Sequence, residues 1–187
     1  MESSPSTSHP SPPEGFVYAG PASDFLPSPH SDSAVGDTDE HLTVGCQTAG
    51  TSCTPELKTT KDGEEYLIKV IEIPQPAGRY PPQRRVAVSY FNKKWYAFIN
   101  ICPHQGSALA RGSMMDIEDM GIVWGAGITC TLHNWTFDAF TGQSDSTRFV
   151  IDTYDVKEVD GHVFVSQEPR NGHVAGPRRD FGGREMN

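Results

Sequence analysis

The chain has 187 residues and a net charge of -9, from 15 lysines and arginines against 24 aspartates and glutamates. This length suits one ordinary domain with extensions and is too short for two substantial domains. The acidic balance argues against a nucleic-acid partner, and no apolar run approaches the length that spans a bilayer.

The first 60 residues differ in composition from the rest of the chain. They are rich in Ser, Pro, Thr, Gly and Ala, and they contain eight acidic residues and one basic residue, so they account for -7 of the net charge and leave -2 for the remainder. Such a segment cannot bury enough apolar surface to offset its chain entropy. We therefore predict a disordered acidic tail over residues 1–60. The mild acidity of the remainder would at most steer a basic partner.

The next segments alternate apolar with polar residues and predict strands. Residues 65–73, 85–91 and 95–101 each show this alternation with many β-branched and aromatic residues. Residues 92–94 between the last two suit a hairpin connection. The prolines of residues 74–83 require an irregular loop, because proline cannot donate to the interior of a sheet.

A stretch of 25 residues separates His104 from Cys130. We predict an inserted loop here, which can include a helical turn, followed by a strand that leads into Cys130. Its methionines, Met114, Met115 and Met120, are expected to pack within the insertion, with contact to a partner as the alternative.

The final part of the folded region predicts one more hairpin. Residues 153–159 and 162–166 alternate and flank an Asp-Gly pair, which is a strong signal for a two-residue turn. Short antiparallel strands thus make up most of residues 61–168, and the predicted fold class is all-β. Residues 169–187 are rich in Gly and Arg, and we expect a flexible C-terminal tail.

Two short pairs of potential metal ligands lie in the predicted domain. One residue separates Cys102 from His104, and two residues separate Cys130 from His133. In a zinc finger of the Cys2His2 type the cysteines are paired and the histidines follow with wider spacing. The alternation found here suits a two-iron centre in which both thiolates bind one iron and both imidazoles bind the other. The alternative is a set of buried thiols and histidines that only pack.

The residues around these pairs resemble a known family. Residues 102–112 (CPHQGSALARG) and 130–143 (CTLHNWTFDAFTGQ) are similar to the two cluster-binding loops of Rieske and Rieske-type ferredoxin domains. The resemblance covers roughly residues 64–168, and it implies an antiparallel β-sandwich that binds one [2Fe-2S] cluster per chain. The implied ligands are the cysteines for the inner iron and the histidines for the outer iron: Cys102, Cys130, His104 and His133.

The second loop departs from the common loop pattern of this family at two positions. Thr131 stands where Pro is frequent, and Asn134 stands where Gly is frequent. If the backbone there needs a positive φ, Asn is the least costly residue other than Gly. Three apolar residues, Leu109, Leu132 and Trp135, are expected to shield the cluster or to pack in the core.

The reduction potential is expected at the low end of the family. High-potential respiratory members carry a disulfide between the two loops and Ser and Tyr hydroxyls that donate hydrogen bonds to the cluster region. This sequence supplies neither the disulfide nor those hydroxyls at the corresponding positions, which are Ser107, Leu132, Trp135 and Phe137. We therefore expect a midpoint between about -150 and 0 mV.

By this resemblance the protein is a soluble carrier of single electrons from a reductase to an oxygenase or another terminal acceptor. There is no room for the mononuclear iron domain of an oxygenase, so no catalytic residue is predicted. The alternatives are a dissociable Rieske subunit of an oxygenase or reductase complex, and a zinc-stabilised interaction module whose acidic tail recruits partners.

Cysteine usage and the N-terminus bear on location. Cys46 and Cys53 lie in the predicted tail without a ligand pair nearby and are interpreted as incidental free thiols. The N-terminus lacks the apolar run of a signal peptide and is too acidic for an ordinary mitochondrial transit peptide. We therefore expect a cytoplasmic protein without a membrane anchor.

Overall fold

Antiparallel strands make up almost all the regular structure in a computed structural model that describes residues 10–27, 54–75, 83–179 and 185–186. The strands are β1 Phe16–Pro21, β2 Glu56–Thr59, β3 Glu65–Pro74, β4 Gln83–Phe91, β5 Lys94–Ile99, β6 Ser113–Asp119, β7 Ile122–Thr129, β8 Thr136–Asp138, β9 Tyr154–Val159, β10 His162–Pro169, β11 Arg178–Arg179 and β12 Glu185–Met186. Two short 3₁₀ helices lie at Ala22–Phe25 and Leu109–Arg111. Within the described ranges, no helix has the length and apolarity needed to cross a membrane.

Three sheets surround one core. Strands β2, β3, β4 and β5 pair in that order, β1, β10 and β9 form a second sheet, and β6, β7 and β8 form a third. The short strands β11 and β12 pair with each other. All of these pairings are antiparallel. The predicted all-β antiparallel fold is therefore confirmed.

The strands predicted from alternation are present. Along β3, Tyr66 and Ile68 are buried on one face and Ile71 and Ile73 on the opposite face, because successive side chains of a strand alternate in direction. The turn between β4 and β5 is formed by Asn92 and Lys93, whose φ angles are +48° and +59°. Positive φ at both central residues is the geometry of a tight hairpin turn that follows the twist of its strands. The turn between β9 and β10 uses the predicted Asp160 and Gly161, also at positive φ.

The insertion between the two ligand pairs differs from the prediction. Most of it is a regular hairpin of β6 and β7 instead of a loop, and the predicted helical turn is the 3₁₀ helix that precedes it. Met114 is buried, and its backbone N–H donates to the Tyr66 hydroxyl at 2.9 Å. Met115 and Met120 are 40% and 96% exposed, so the prediction that they pack is wrong. The strand expected before Cys130 is confirmed as β7.

Two segments within the predicted N-terminal tail belong to the fold. Strand β1 pairs with β10, and the helix after it buries Phe25 completely. The ammonium of Lys69 in β3 forms an ion pair with Asp24 at 2.6 Å. Strand β2 also lies before residue 60. The predicted boundary is wrong for these segments because averaging composition over the whole stretch hid short apolar runs. Residues 1–9 and 28–53, which include Cys46 and Cys53, lie outside the described ranges.

The first part of the predicted C-terminal tail also packs against the domain. Asn171 is buried, and its Nδ2 donates to the carbonyl oxygens of Thr141 and Ile151 at 2.8 and 2.7 Å. Its Oδ1 accepts a hydrogen bond from the backbone N–H of Thr153 at 3.1 Å. Arg178 donates to the backbone carbonyl of Asn171 and forms an ion pair with Asp152 at 2.8 Å. The prediction of a flexible segment from residue 169 is therefore wrong up to Arg178, because hydrogen bonds rather than an apolar pattern hold it.

Replacement of Asn171 by Ala is expected to lower the free energy of unfolding by about 2–4 kcal/mol, because it leaves buried carbonyl and N–H groups without partners. Urea unfolding of the metal-free protein measures this loss. The matched control is His173→Ala, two residues further on and exposed, for which a change within about 0.5 kcal/mol is expected. Equal stability of the two variants would contradict the anchoring role of Asn171.

Candidate metal centre

The two predicted ligand pairs lie in loops that leave the ends of strands. The first loop follows β5, whose last residue, Ile99, donates its N–H to the carbonyl of Asp152 at 2.8 Å. The side chain of Asn100 accepts a hydrogen bond from the N–H of Ala110 at 2.7 Å, which ties the far end of this loop back to its start. The second loop connects β7 to β8. Paired strands therefore hold the start of each loop.

The first loop closes through two backbone hydrogen bonds around its cysteine. The N–H of Cys102 donates to the carbonyl of Ser107 at 2.7 Å, and the N–H of Gly106 donates to the carbonyl of Cys102 at 2.9 Å. Gly106 has a φ of +78°. This conformation turns the chain back after His104 and costs glycine little.

The second loop repeats this pattern. The N–H of Cys130 donates to the carbonyl of Trp135 at 2.9 Å, and the N–H of Asn134 donates to the carbonyl of Cys130 at 3.0 Å. Asn134 takes the place of the glycine and has a φ of +56°. The expected reason for Asn at this position is confirmed, because Asn adopts the left-handed region at lower cost than most residues. The two loops thus share the same backbone hydrogen bonds and the same positive-φ turn, and they hold their candidate ligands in similar surroundings.

The two thiols lie together in the core. Cys102 and Cys130 are each 1% exposed, and neither forms a disulfide. Burial raises the pKa of the Cys102 thiol to about 11, and contact with Cys130 acts in the same direction, whereas hydrogen bonds from the backbone N–H groups of His104 and Gln105 lower it. Two thiolates in this position need nearby positive charge for balance. A bound metal ion would supply that positive charge.

The two imidazoles lie together on the outer side. The Nδ1 atoms of His104 and His133 are 3.0 Å apart, and the ring centroids are 4.2 Å apart. His133 is exposed and His104 is partly exposed. The structure therefore brings all four predicted residues into two pairs, with buried sulfur and outward-facing nitrogen.

An aromatic stack supports one of the imidazoles. Trp135 lies parallel to the ring of His104, with centroids 4.2 Å apart and an angle of 14° between the planes. Phe149 stacks in turn on Trp135, with ring centroids 5.7 Å apart. Trp135 was expected to shield the site, and its position fits that expectation. Leu132 is 56% exposed and covers little, and Leu109 is fully buried. Phe149 was not foreseen, because no local pattern connects it to the ligand pairs.

The arrangement of donors fits a two-iron centre better than a single ion. A structural zinc ion takes four ligands around one point. In the part of the chain that the structure describes, no three Cys, His, Asp or Glu side chains are grouped in that way. The four residues form one sulfur pair and one nitrogen pair instead, and a [2Fe-2S] centre of mixed ligation needs two thiolates on one iron and two imidazoles on the other.

Fold and site together define a class: an all-β protein in which two strand-end loops bring together paired cysteines and histidines that suit a metal cluster. The family model described as Rieske [2Fe-2S] domain matches residues 58–154, which is more than half of the chain. The chain belongs to the Rieske [2Fe-2S] domain family, and the cofactor of that family is a [2Fe-2S] cluster. The resemblance inferred from the two loops is therefore confirmed.

Several solved structures are similar to this chain at low identity. The complex of reduced oxygenase and oxidized ferredoxin in carbazole 1,9a-dioxygenase is 17% identical, with 84% of this chain and 98% of that chain covered and a TM-score of 0.47. The ferredoxin of Sphingomonas yanoikuyae B1 is 24% identical, with coverages of 53% and 85% and a TM-score of 0.37. The E. coli protein NirD is 21% identical, with coverages of 52% and 96% and a TM-score of 0.36. A comparison with curated proteins gave no match. The assignment depends on the family match and not on these likenesses.

The backbone at Asn134 generates a prediction. Asn134→Val is expected to destabilise the metal-free protein by about 1–3 kcal/mol, because a β-branched residue is strained at this positive φ. Asn134→Gly is the matched control and should cost less than about 1 kcal/mol. Urea unfolding and iron content per chain measure both variants. If the Val variant unfolds like the Gly variant, the loop does not depend on the left-handed conformation.

Proposed function

We propose that Cys102 and Cys130 bind the inner iron and His104 and His133 the outer iron of one [2Fe-2S] cluster, and that the protein is a soluble carrier of single electrons. The observation that carries this proposal is the two-plus-two grouping of the four side chains at the ends of β5 and β7. Membership of the Rieske [2Fe-2S] domain family supports a role in electron transfer.

The placement of the pairs suits one-electron transfer through the imidazole side. A [2Fe-2S] cluster, when bound, takes up and releases one electron at a time. Cys102 and Cys130 are buried and keep water from the sulfur side, while His133 is exposed. Trp135 holds the plane of His104 by stacking on it. The histidine edge is thus the proposed place where a partner exchanges electrons.

The proposed partners are a reductase that donates the electron and an oxygenase or another terminal acceptor that receives it, and the proposed location is the cytoplasm. What supports a carrier is the match of residues 58–154 to the Rieske [2Fe-2S] domain family. We assign no residue to substrate chemistry.

The proposed ligands are tested one at a time. In His104→Ala or His133→Ala, loss of an imidazole should abolish the rhombic EPR signal of low average g that mixed histidine and thiolate ligation produces in the reduced protein. His162→Ala is the control, because this histidine lies in β10 and contacts Tyr18 rather than the proposed site. Iron and acid-labile sulfide are measured in parallel. An unchanged signal in either ligand variant would remove that residue from the site, and zinc without sulfide in the unmodified protein would overturn the function.

The midpoint potential is expected between about -150 and 0 mV, the low part of the family range. Neutral imidazoles lower the negative charge of the centre relative to four thiolates, but hydroxyl donors that would raise the potential further are missing from the positions of Trp135 and Phe137. Protein-film voltammetry measures the midpoint. A value well above +100 mV would show that other groups stabilise the reduced state.

A further inference from the structure

A groove of about 850 Å³ lies along the hairpin of β6 and β7, and none of the proposed ligands lines it. One wall is the turn between β2 and β3, and the other is formed by β8 and the residues after it. Six carboxylates line the groove: Asp62, Glu64, Asp116, Glu118, Asp138 and Asp145. Lys61 is the single basic side chain among its described lining residues, so the groove is strongly negative.

Within the part of the chain that the structure describes, none of the six carboxylates of the groove forms an ion pair. The ion pairs formed within the described ranges involve other acidic residues. Asp116 accepts a hydrogen bond from Asn92, Asp138 from the backbone after it, and Asp145 from the N–H of Thr136. These bonds hold three carboxylates in place and leave their charge available to a ligand.

Apolar side chains accompany the charges. Trp124 and Met115 line the groove and are 57% and 40% exposed, and Ile117 lies between them on the same hairpin. An indole face next to carboxylates attracts guanidinium and ammonium groups, and the aliphatic stems of Arg and Lys pack on such apolar surface. The groove therefore combines the two features that a basic peptide segment recognises.

We propose that this groove docks an extended arginine- or lysine-bearing segment of a partner protein. The carboxylates come from four separate stretches of the chain, and no three of them among the described residues are grouped to hold one metal ion. A ligand with several spaced positive charges fits this distribution, whereas a single cation does not. The inference goes beyond the proposed function, because it assigns a partner-binding surface that none of the four proposed ligands lines.

The test uses the full-length, cluster-containing protein and a fluorescein-labelled hexa-arginine peptide, with binding measured by fluorescence anisotropy at low ionic strength. The charge reversal Glu64→Lys with Glu118→Lys should weaken binding by about tenfold or more. Trp124→Ala, which leaves the net charge unchanged, should weaken it by about threefold. The matched control is Glu14→Lys with Glu168→Lys, two exposed residues outside the groove, for which a change below about twofold is expected.

The proposal would be overturned by no binding by the unmodified protein, by an equal loss in the control variant, or by unchanged binding by Trp124→Ala. The last two would show that the peptide responds to total charge instead of to the groove. Displacement of the peptide by micromolar Ca²⁺ would identify a cation site and also overturn it. The neutral pair Glu64→Gln with Glu118→Gln repeats the test if charge reversal impairs folding. Visible absorbance of the cluster is recorded for every variant, so failure of docking and failure of the proposed electron transfer are distinguished.

Discussion

The contact between two buried thiols is the constraint on which the rest of the site depends. Cys102 and Cys130 lie side by side in the core, where desolvation and their mutual proximity disfavour thiolates. Two adjacent buried thiols become favourable as thiolate ligands only when positive charge lies beside them. The surrounding structure serves that requirement: strands β5 and β7 deliver the cysteines from two directions, and backbone N–H groups point toward the Cys102 sulfur.

The two loops meet this constraint with the same backbone design. In each loop the cysteine N–H donates one hydrogen bond and the cysteine carbonyl accepts another, and the chain reverses direction at a residue with positive φ, Gly106 in one loop and Asn134 in the other. The design leaves the histidines on the outer side, where Trp135 stacks on His104. Sulfur burial, imidazole exposure and ring orientation thus all follow from how two short turns close.

Short-range patterns predicted the parts of the structure that neighbouring residues control. The turns at Asn92-Lys93 and Asp160-Gly161 were predictable because a tight hairpin requires particular local φ angles. In the insertion only β7 was predicted, and β6 was not, since β6 is stabilised by pairing with β7. The anchoring of Asn171 was equally hidden, because the three hydrogen-bond partners of its side chain lie 18 to 30 residues away along the chain.

The sequence by itself determined the family and the all-β class, because the motifs of two short loops and the alternation along the strands are local properties of the chain. It also predicted four ligand candidates from their spacing. Only the tertiary structure decided which segments belong to the domain, since β1 and the residues around Asn171 are held by partners distant in the chain. It alone also gathered six carboxylates beside Trp124. Charges scattered over four stretches of sequence make one surface only after the strands have paired, because strand pairing sets which residues become neighbours.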